Sequence, residues 1–120
     1  MTSPVALPPM VGHFQVSVTA PDSGEAIRLG NMAVEARLAA CAQVSGPITS
    51  TYWWEGSITS ATEWVCVLKT TAALLSPLME ALRTSHSYDV PEIIATPIVA
   101  GDSDYLSWIT DEARQEGPVE

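Results

Sequence analysis

The chain has 120 residues, 47% of them hydrophobic, which is enough to build one buried core but leaves no room for a second domain. Five Lys and Arg residues stand against fourteen Asp and Glu residues, giving a formal net charge of −9. A charge of this sign repels phosphate backbones and anionic lipids, so neither nucleic acid nor a membrane is an expected partner.

The two ends of the chain lack the periodic patterns of the middle. Residues 1–12 carry three prolines and no Lys or Arg, which predicts a flexible tail rather than a secretory signal. Residues 113–120 predict a second, acidic tail, so the predicted domain covers residues 13–112. The cysteines, Cys41 and Cys66, are too few for a disulfide framework and predict reduced thiols in a cytoplasmic protein.

The first half of the domain predicts a strand, a helix and a bent second strand. Residues 13–19 alternate apolar and polar side chains, which is the period of a strand with one buried face. Asp22 is a suitable cap for a helix over residues 23–39. Residues 41–54 then predict an extended segment with a bend or bulge at Gly46-Pro47.

The second half completes a β-α-β-β-α-β-α order. It predicts a loop over 56–62, a strand over 63–70, a helix that begins at Ser76-Pro77 or earlier near Thr71, a strand over 92–99, and a last helix capped by Asp102 or Ser103. This order packs most simply as a ferredoxin-like α+β fold, an antiparallel sheet with helices on one face. The other face then needs a different cover, such as a partner subunit.

Three aromatic residues stand side by side in the segment TYWWEG, which contains Tyr52, Trp53 and Trp54. Successive side chains on a strand point to opposite faces, so Tyr52 and Trp54 share one face and Trp53 takes the other. Exposed indole is prone to association. We therefore expect a helix, a partner chain or a ligand to cover the second face.

Four segments, taken in order, resemble the CutA divalent-cation-tolerance family: RLAACAQVSGPITSTYWWEG, LKTT, HSYDVPEIIATPI and DYLSWI. The resemblance extends over about residues 14–110. It implies a ferredoxin-like subunit in a tight homotrimer, similar in architecture to the PII-type nitrogen-regulatory proteins. It also implies that Tyr52, Trp53 and Trp54 lie partly in the trimer interface and partly in a cleft between subunits.

His86 and Cys41 are the candidate metal ligands, because imidazole and thiolate both suit copper. The alternatives are that His86 caps a helix and that Cys41 packs as a small apolar residue. The chain has no C-x-x-C or H-x-x-H spacing, and Val18 and Ala81 stand where some relatives carry cysteines. We therefore expect copper binding to be weak and unnecessary for folding.

A ligand cleft is predicted from Lys69, Tyr88 and Glu92, roofed by Trp54 and Trp108. Lys69, the only lysine, would anchor a small anion there. The alternatives are that Lys69 pairs with a carboxylate or reaches solvent, and that the two tryptophans simply pack.

Two functions follow from the resemblance and these residues. The first is a trimeric divalent-cation tolerance protein that takes part in the response to metal ions, with weak copper binding. The alternative is a PII-like sensor of a small anionic metabolite held between subunits. An enzyme with a His86 and Glu92 acid–base pair ranks last, because no nucleophile elbow, triad or hydrolase signature is present, so we expect no catalytic activity.

Overall fold

Seven elements form the described part of the chain, which covers residues 12–115 of this computed structural model. In chain order they are β1 (His13–Ala20), α1 (Ser23–Glu35), β2 (Cys41–Trp54), β3 (Ser57–Thr71), α2 (Ala72–Ser85), β4 (Ile93–Ile98) and α3 (Ser103–Glu112). The strands form one antiparallel sheet in the order β2-β3-β1-β4. The predicted α+β fold and its element order are confirmed.

The core lies between one face of the sheet and the two longer helices. Val16 and Val18 of β1 are fully buried, and Val16 stands opposite Leu68 of β3. They pack in one apolar cluster with Leu29 of α1 and Leu78 of α2, which are also fully buried. Alternation along the strands therefore gives this face of the sheet to α1 and α2.

The short helix α3 lies on the opposite face, at one end. His13 is at one of the alternate positions of β1 that face away from α1 and α2. Its Nε2 atom is 2.8 Å from the hydroxyl of Thr110. Cys41, which stands opposite Lys69 on the same face, has its Sγ atom 3.6 Å from the hydroxyl of Tyr105. The face that was predicted to lack a helix is thus covered by α3 at this end and left open elsewhere.

A long hairpin extends beyond the rest of the sheet. β1 ends at Ala20, opposite Trp64, whereas β2 and β3 continue pairing through residues 48–63, which we call the hairpin arm. The arm closes with a two-residue turn in which Glu55 and Gly56 have φ values of 49° and 81°. These values are typical of a type I′ turn, whose twist matches that of the paired strands.

The hairpin arm corrects the predicted loop over residues 56–62. Residues 57–62 instead belong to β3 and pair with residues 49–54. Ile58, Thr59 and Thr62 are β-branched and suit a strand, and the turn needs only two residues. The predicted bulge in β2 is confirmed by a shift of register between Ser45 and Ile48.

The helices differ from prediction at their ends. α1 stops at Glu35 rather than at residue 39, because Arg37 takes the left-handed conformation with φ of 58° and the chain turns there. α2 begins at Ala72 after Thr71, which is the earlier of its two predicted starts. Asp102 caps α3 by accepting a hydrogen bond from the backbone N–H of Tyr105 at 3.0 Å.

The predicted tails lie mostly outside the described residues, since residues 1–11 and 116–120 are not among them. Gly12 is described, and its carbonyl accepts a hydrogen bond from Ala72 at 3.0 Å. Ala113 is buried, and Gln115 donates a hydrogen bond to the carbonyl of Ala36. The packed part of the chain therefore continues past residue 112.

Candidate functional site

A cleft of about 560 Å³ opens between the hairpin arm, the end of β1 and the segment 86–92 that joins α2 to β4. We call it the arm cleft. Its lining residues are Thr19, Ser50, Thr51, Tyr52, Trp54, Glu63, Tyr88, Val90 and Glu92. The structure thus brings together three of the five residues predicted for a ligand cleft, namely Trp54, Tyr88 and Glu92.

Strand alternation explains how the arm lines this cleft. Ser50, Tyr52 and Trp54 occupy alternate positions of β2 and stand on the face of the sheet opposite α1 and α2. Glu63 of β3 lies on the same face, opposite Ile48. The prediction that Tyr52 and Trp54 share a face, opposite to that of Trp53, agrees with this register.

Glu63 is the buried acidic group of the arm cleft, with only 8% of its surface exposed. The phenol of Tyr88 donates a hydrogen bond to its Oε2 atom at 3.2 Å. Burial away from water, followed by the negative charge of Glu63, raises the pKa of Tyr88 to about 12. Glu92 adds a second carboxylate, and none of the nine lining residues is basic, so the cleft is negative.

His86 fixes the wall of this cleft through its imidazole ring. The ring is fully buried, its Nε2 atom lies 2.6 Å from the carbonyl oxygen of Thr19, and Nδ1 lies 3.0 Å from the backbone nitrogen of Tyr88. A backbone N–H can only donate and a carbonyl can only accept, so in these two contacts Nδ1 is the acceptor and Nε2 the donor. The carboxylate of Glu25 also lies 3.4 Å from Nδ1. Both nitrogen atoms are therefore already engaged within the protein.

Cys41 lies at the far end of the sheet from His86. It stands opposite Lys69, which in turn stands opposite Gln15 of β1. Thr19, the partner of His86, is four residues further along β1, or about 13 Å at the rise of a strand. One subunit does not bring the two predicted metal ligands together.

No three His, Cys, Asp or Glu side chains within residues 12–115 are grouped so as to hold a metal ion. Among the cysteines, Cys66 is fully buried, and this burial, followed by the proximity of Cys41, raises the pKa of its thiol to about 11. A thiol of this kind is a poor metal ligand at neutral pH, since the thiolate is the form that coordinates.

Lys69 and Trp108 lie with Cys41 rather than in the arm cleft. The Nζ atom of Lys69 donates a hydrogen bond to the side-chain oxygen of Gln43. Trp108 stacks on Tyr105 with ring centroids 5.6 Å apart, and Tyr105 contacts Cys41. The single predicted cleft is therefore divided, within one subunit, between the two ends of the sheet.

Sequence reasoning missed Glu63 and Thr19 as cleft residues. The sequence did carry a signal for Glu63, because it is an acidic residue at the start of a mostly apolar strand segment. Charged residues are seldom buried, so such a position indicates a special role. Thr19 gave no signal of its own, because its position in the cleft depends on how segment 86–92 folds back against β1.

Comparison with known proteins identifies relatives over most of the chain. The family model described as CutA1 divalent ion tolerance protein matches residues 14–112. Protein CutA, chloroplastic, from Arabidopsis thaliana is 41% identical over 104 residues, which are 87% of this chain and 57% of that protein. The chain thus spans less than three fifths of the length of this plant relative. The divalent-cation tolerance protein CutA of Escherichia coli is 39% identical over 99 residues, covering 82% of this chain and 88% of that protein.

A solved structure agrees with the same relationship. The periplasmic divalent cation tolerance protein CutA from Archaeoglobus fulgidus superposes with a TM-score of 0.82 at 36% identity. The match covers 85% of this chain and 99% of that chain. The four-stranded sheet and its helices are therefore shared with a solved member of this group.

The prediction of a cytoplasmic location is wrong. The Arabidopsis relative is named chloroplastic and the Archaeoglobus relative periplasmic, so similar chains are assigned to different compartments. A low number of cysteines and an acidic composition are compatible with each of these compartments, so they could not identify one. Within residues 12–115, no helix combines the length and the apolar character that crossing a bilayer requires.

Proposed function

The chain belongs to the CutA1 divalent ion tolerance family, and from this premise we propose that it acts as a homotrimer in the tolerance of divalent cations. The observation that carries the proposal is the exposed apolar tip of the hairpin arm. Trp53 is 72% exposed, Ile58 65% and Trp54 58%. A buried aromatic side chain removes about 150–250 Å² from water, so a second copy that covers this tip gains substantial stability.

Both outer strands of the sheet support an assembly built from edges. β2 and β4 are the outermost strands, and each has one side without a neighbouring strand in the described chain. Pairing between edge strands of different copies would cover both the free edges and the exposed apolar residues. Ile94 of β4 is 51% exposed, which gives this edge an apolar surface of its own. A different edge at each end of the sheet suits a head-to-tail contact that closes into a ring, and the resemblance to the CutA family is what proposes three copies in it.

Divalent-cation binding by this trimer is proposed to be weak, with copper among the ions bound. The net charge of −9 raises the local concentration of cations. The described residues 12–115 contain no group of three metal-binding side chains, so a tight site within one chain has no support. A site completed between copies would draw on carboxylates such as Glu92, or on Cys41 of one copy and groups of another. The role is one of binding rather than catalysis.

The alternative of a PII-like anion sensor receives less support from the same geometry. The arm cleft contains two carboxylates, Glu63 and Glu92, and no basic lining residue. Lys69, the predicted anion anchor, is hydrogen-bonded to Gln43 at the other end of the sheet. A small anion would meet a repulsive field in the arm cleft.

The proposal is tested by placing a charge on the arm tip. Trp53→Glu should convert the trimer to monomers at micromolar concentration, because it would bury an unpaired carboxylate in the interface. Asn31→Glu, which adds the same charge at an exposed position on α1, is the control and should remain trimeric. Size-exclusion chromatography with light scattering reads both masses. A Trp53→Glu protein that stays trimeric would remove the arm tip from the interface.

A further inference from the structure

One nitrogen atom of the His86 ring has two competing partners. Nδ1 lies 3.0 Å from the backbone nitrogen of Tyr88 and 3.4 Å from Oε2 of Glu25. The backbone N–H needs an acceptor, whereas the carboxylate needs a donor. Nδ1 accepts when it carries no hydrogen and donates when it carries one, so it satisfies only one of these partners at a time. Nε2 donates in both cases, because its partner is the carbonyl of Thr19 at 2.6 Å.

Burial prevents water from replacing the partner that Nδ1 gives up. The ring of His86 is fully buried, and the side chain of Glu25 is only 13% exposed. The carboxylate of Glu25 also accepts from the backbone N–H of Ser87 at 3.2 Å and from its hydroxyl at 2.8 Å. Glu25 is therefore held beside the ring by Ser87, whether or not Nδ1 carries a hydrogen.

The charged groups around the ring favour a hydrogen on Nδ1 through one residue of α1. Within residues 12–115, Glu25 is the only Asp or Glu whose carboxylate lies within 4.0 Å of a ring nitrogen of His86. Arg28, also on α1, contacts the other oxygen of this carboxylate at 3.9 Å and donates to the carbonyl of Ser85 at 2.8 Å. A carboxylate next to an imidazole favours its protonated form.

The other elements around the ring present it with backbone groups or an uncharged phenol. The carbonyl of Arg83 in α2 accepts from the backbone N–H of His86 at 3.4 Å. From segment 86–92, the ring of Tyr88 lies with its centroid 4.8 Å from that of His86. β1 contributes the carbonyl of Thr19, and Glu63 of β3 is linked to the ring only through Tyr88.

Tyr88 connects this choice of partner to the hairpin arm. Its backbone N–H is held by His86, and its phenol donates to the buried carboxylate of Glu63 at 3.2 Å. If Nδ1 gains a hydrogen, the backbone of Tyr88 loses its acceptor while Ser87 stays bound to Glu25. The wall of the arm cleft then loses one of the two hydrogen bonds that hold Tyr88 in place.

We propose that His86 is a pH-sensitive switch, in which protonation of Nδ1 exchanges Tyr88 for Glu25 and loosens the wall of the arm cleft. The incoming proton binds Nδ1, the new N–H donates to Oε2 of Glu25, and the backbone N–H of Tyr88 is left without an acceptor. This regulation goes beyond the proposed assembly and metal binding. It depends on neither, because all of its groups belong to one chain.

Nuclear magnetic resonance of the full-length protein labelled with nitrogen-15 tests the proposal. A hydrogen bond from a backbone N–H to an imidazole nitrogen produces a measurable coupling between the two nitrogen nuclei. The coupling between the Tyr88 amide and Nδ1 of His86 should be present at about pH 8 and absent at about pH 5, the range over which histidine commonly changes charge. The Tyr88 amide should then lose about tenfold or more of its protection from hydrogen exchange. A coupling that persists at pH 5, or is already absent at pH 8, would overturn the proposal.

Two variants identify the group that receives the proton on Nδ1. Glu25→Gln keeps an oxygen that accepts from Ser87 but removes the negative charge, so loss of the coupling should require about ten times the proton concentration or more. Glu35→Gln removes the same charge at an exposed position near the other end of α1 and should leave the midpoint unchanged. A folded Glu25→Gln protein with an unchanged midpoint would also overturn the proposal. The coupling in the unaltered protein decides the matter if Glu25→Gln does not fold.

Discussion

The phenol of Tyr88 donates a hydrogen bond to the carboxylate of Glu63 across 3.2 Å, and this contact joins segment 86–92 to the hairpin arm. The backbone of Tyr88 is in turn held by Nδ1 of His86, whose Nε2 donates to the carbonyl of Thr19. One continuous chain of hydrogen bonds therefore links β1, the end of α2 and the arm. It fixes the wall of the arm cleft without any ligand.

Removing the Tyr88 hydroxyl should change the stability at alkaline pH. The pKa of Tyr88, about 12, lies above the ordinary value of 10.0, so the protonated phenol stabilises the folded state. This contribution is complete below pH 10 and is lost as the pH rises towards 12. Tyr88→Phe should cost about 1 kcal/mol at neutral pH and make stability fall less steeply between pH 10 and 12. Urea unfolding across that range measures both. A Tyr88 phenolate that forms near pH 10, seen by ultraviolet difference absorbance, would contradict the prediction.

His86 is predicted to be a structural residue. His86→Ala should lower the free energy of unfolding by about 2–4 kcal/mol, because it leaves a cavity and two unpaired backbone groups at Thr19 and Tyr88. His13→Ala removes a ring with one hydrogen bond, to Thr110, and should cost about 1 kcal/mol or less. Denaturant unfolding compares the two variants.

Copper titration separates this structural role from a role as ligand. His86→Gln should keep the copper affinity of the unaltered protein, since both ring nitrogen atoms already have partners. A folded His86→Gln protein that no longer binds copper would make His86 a metal ligand after all.

Gly30 is predicted to be required for the approach of α1 to the sheet. A Cβ atom at Gly30 would stand 2.9 Å from the Cβ atom of Ala42 and 3.2 Å from the Sγ atom of Cys66. Alanine favours a helix over glycine by about 1 kcal/mol, yet this overpacking should make Gly30→Ala less stable by about 1–3 kcal/mol. Asn31→Ala, at the next and exposed position, should be neutral or slightly stabilising. A stabilised Gly30→Ala protein would show that the helix moves away freely.

The two cysteines should differ sharply in reactivity. Cys66 is fully buried and the pKa of its thiol is about 11, so at pH 8 it remains protonated and unreactive. A thiol reagent such as Ellman's reagent should modify Cys41 alone in the native protein and both cysteines in denaturant. Cys41→Ser should abolish the native reaction. A native Cys41→Ser protein that still reacts at the original rate would overturn this assignment.

Local patterns predicted most of the fold because each element depends on nearby residues. Alternation in β1 and the capping side chains of Asp22 and Asp102 act over a few positions. The bulge at Gly46-Pro47 was likewise visible, since proline lacks the N–H that a regular ladder needs. The end of α1 was missed because Arg37 takes a left-handed conformation that favours glycine.

The candidate site was only partly predictable because it depends on distant pairings. Once the turn at Glu55 and Gly56 is known to be two residues long, Glu63 falls opposite Ile48 and faces the cleft. A strand register of this kind cannot be read from the short polar run after Gly56. The separation of Lys69 from Glu92 follows from the same register, which places Lys69 at the Cys41 end of the sheet.

Native mass spectrometry of the unaltered protein, with a small excess of copper and then after desalting, tests the central proposal most directly. We expect a single species of three chains, each of 12.8 kDa, that carries copper in excess metal and loses it on desalting. A monomer at micromolar concentration, or a trimer that retains copper in fixed ratio after desalting, would contradict the account of a weakly metal-binding homotrimer.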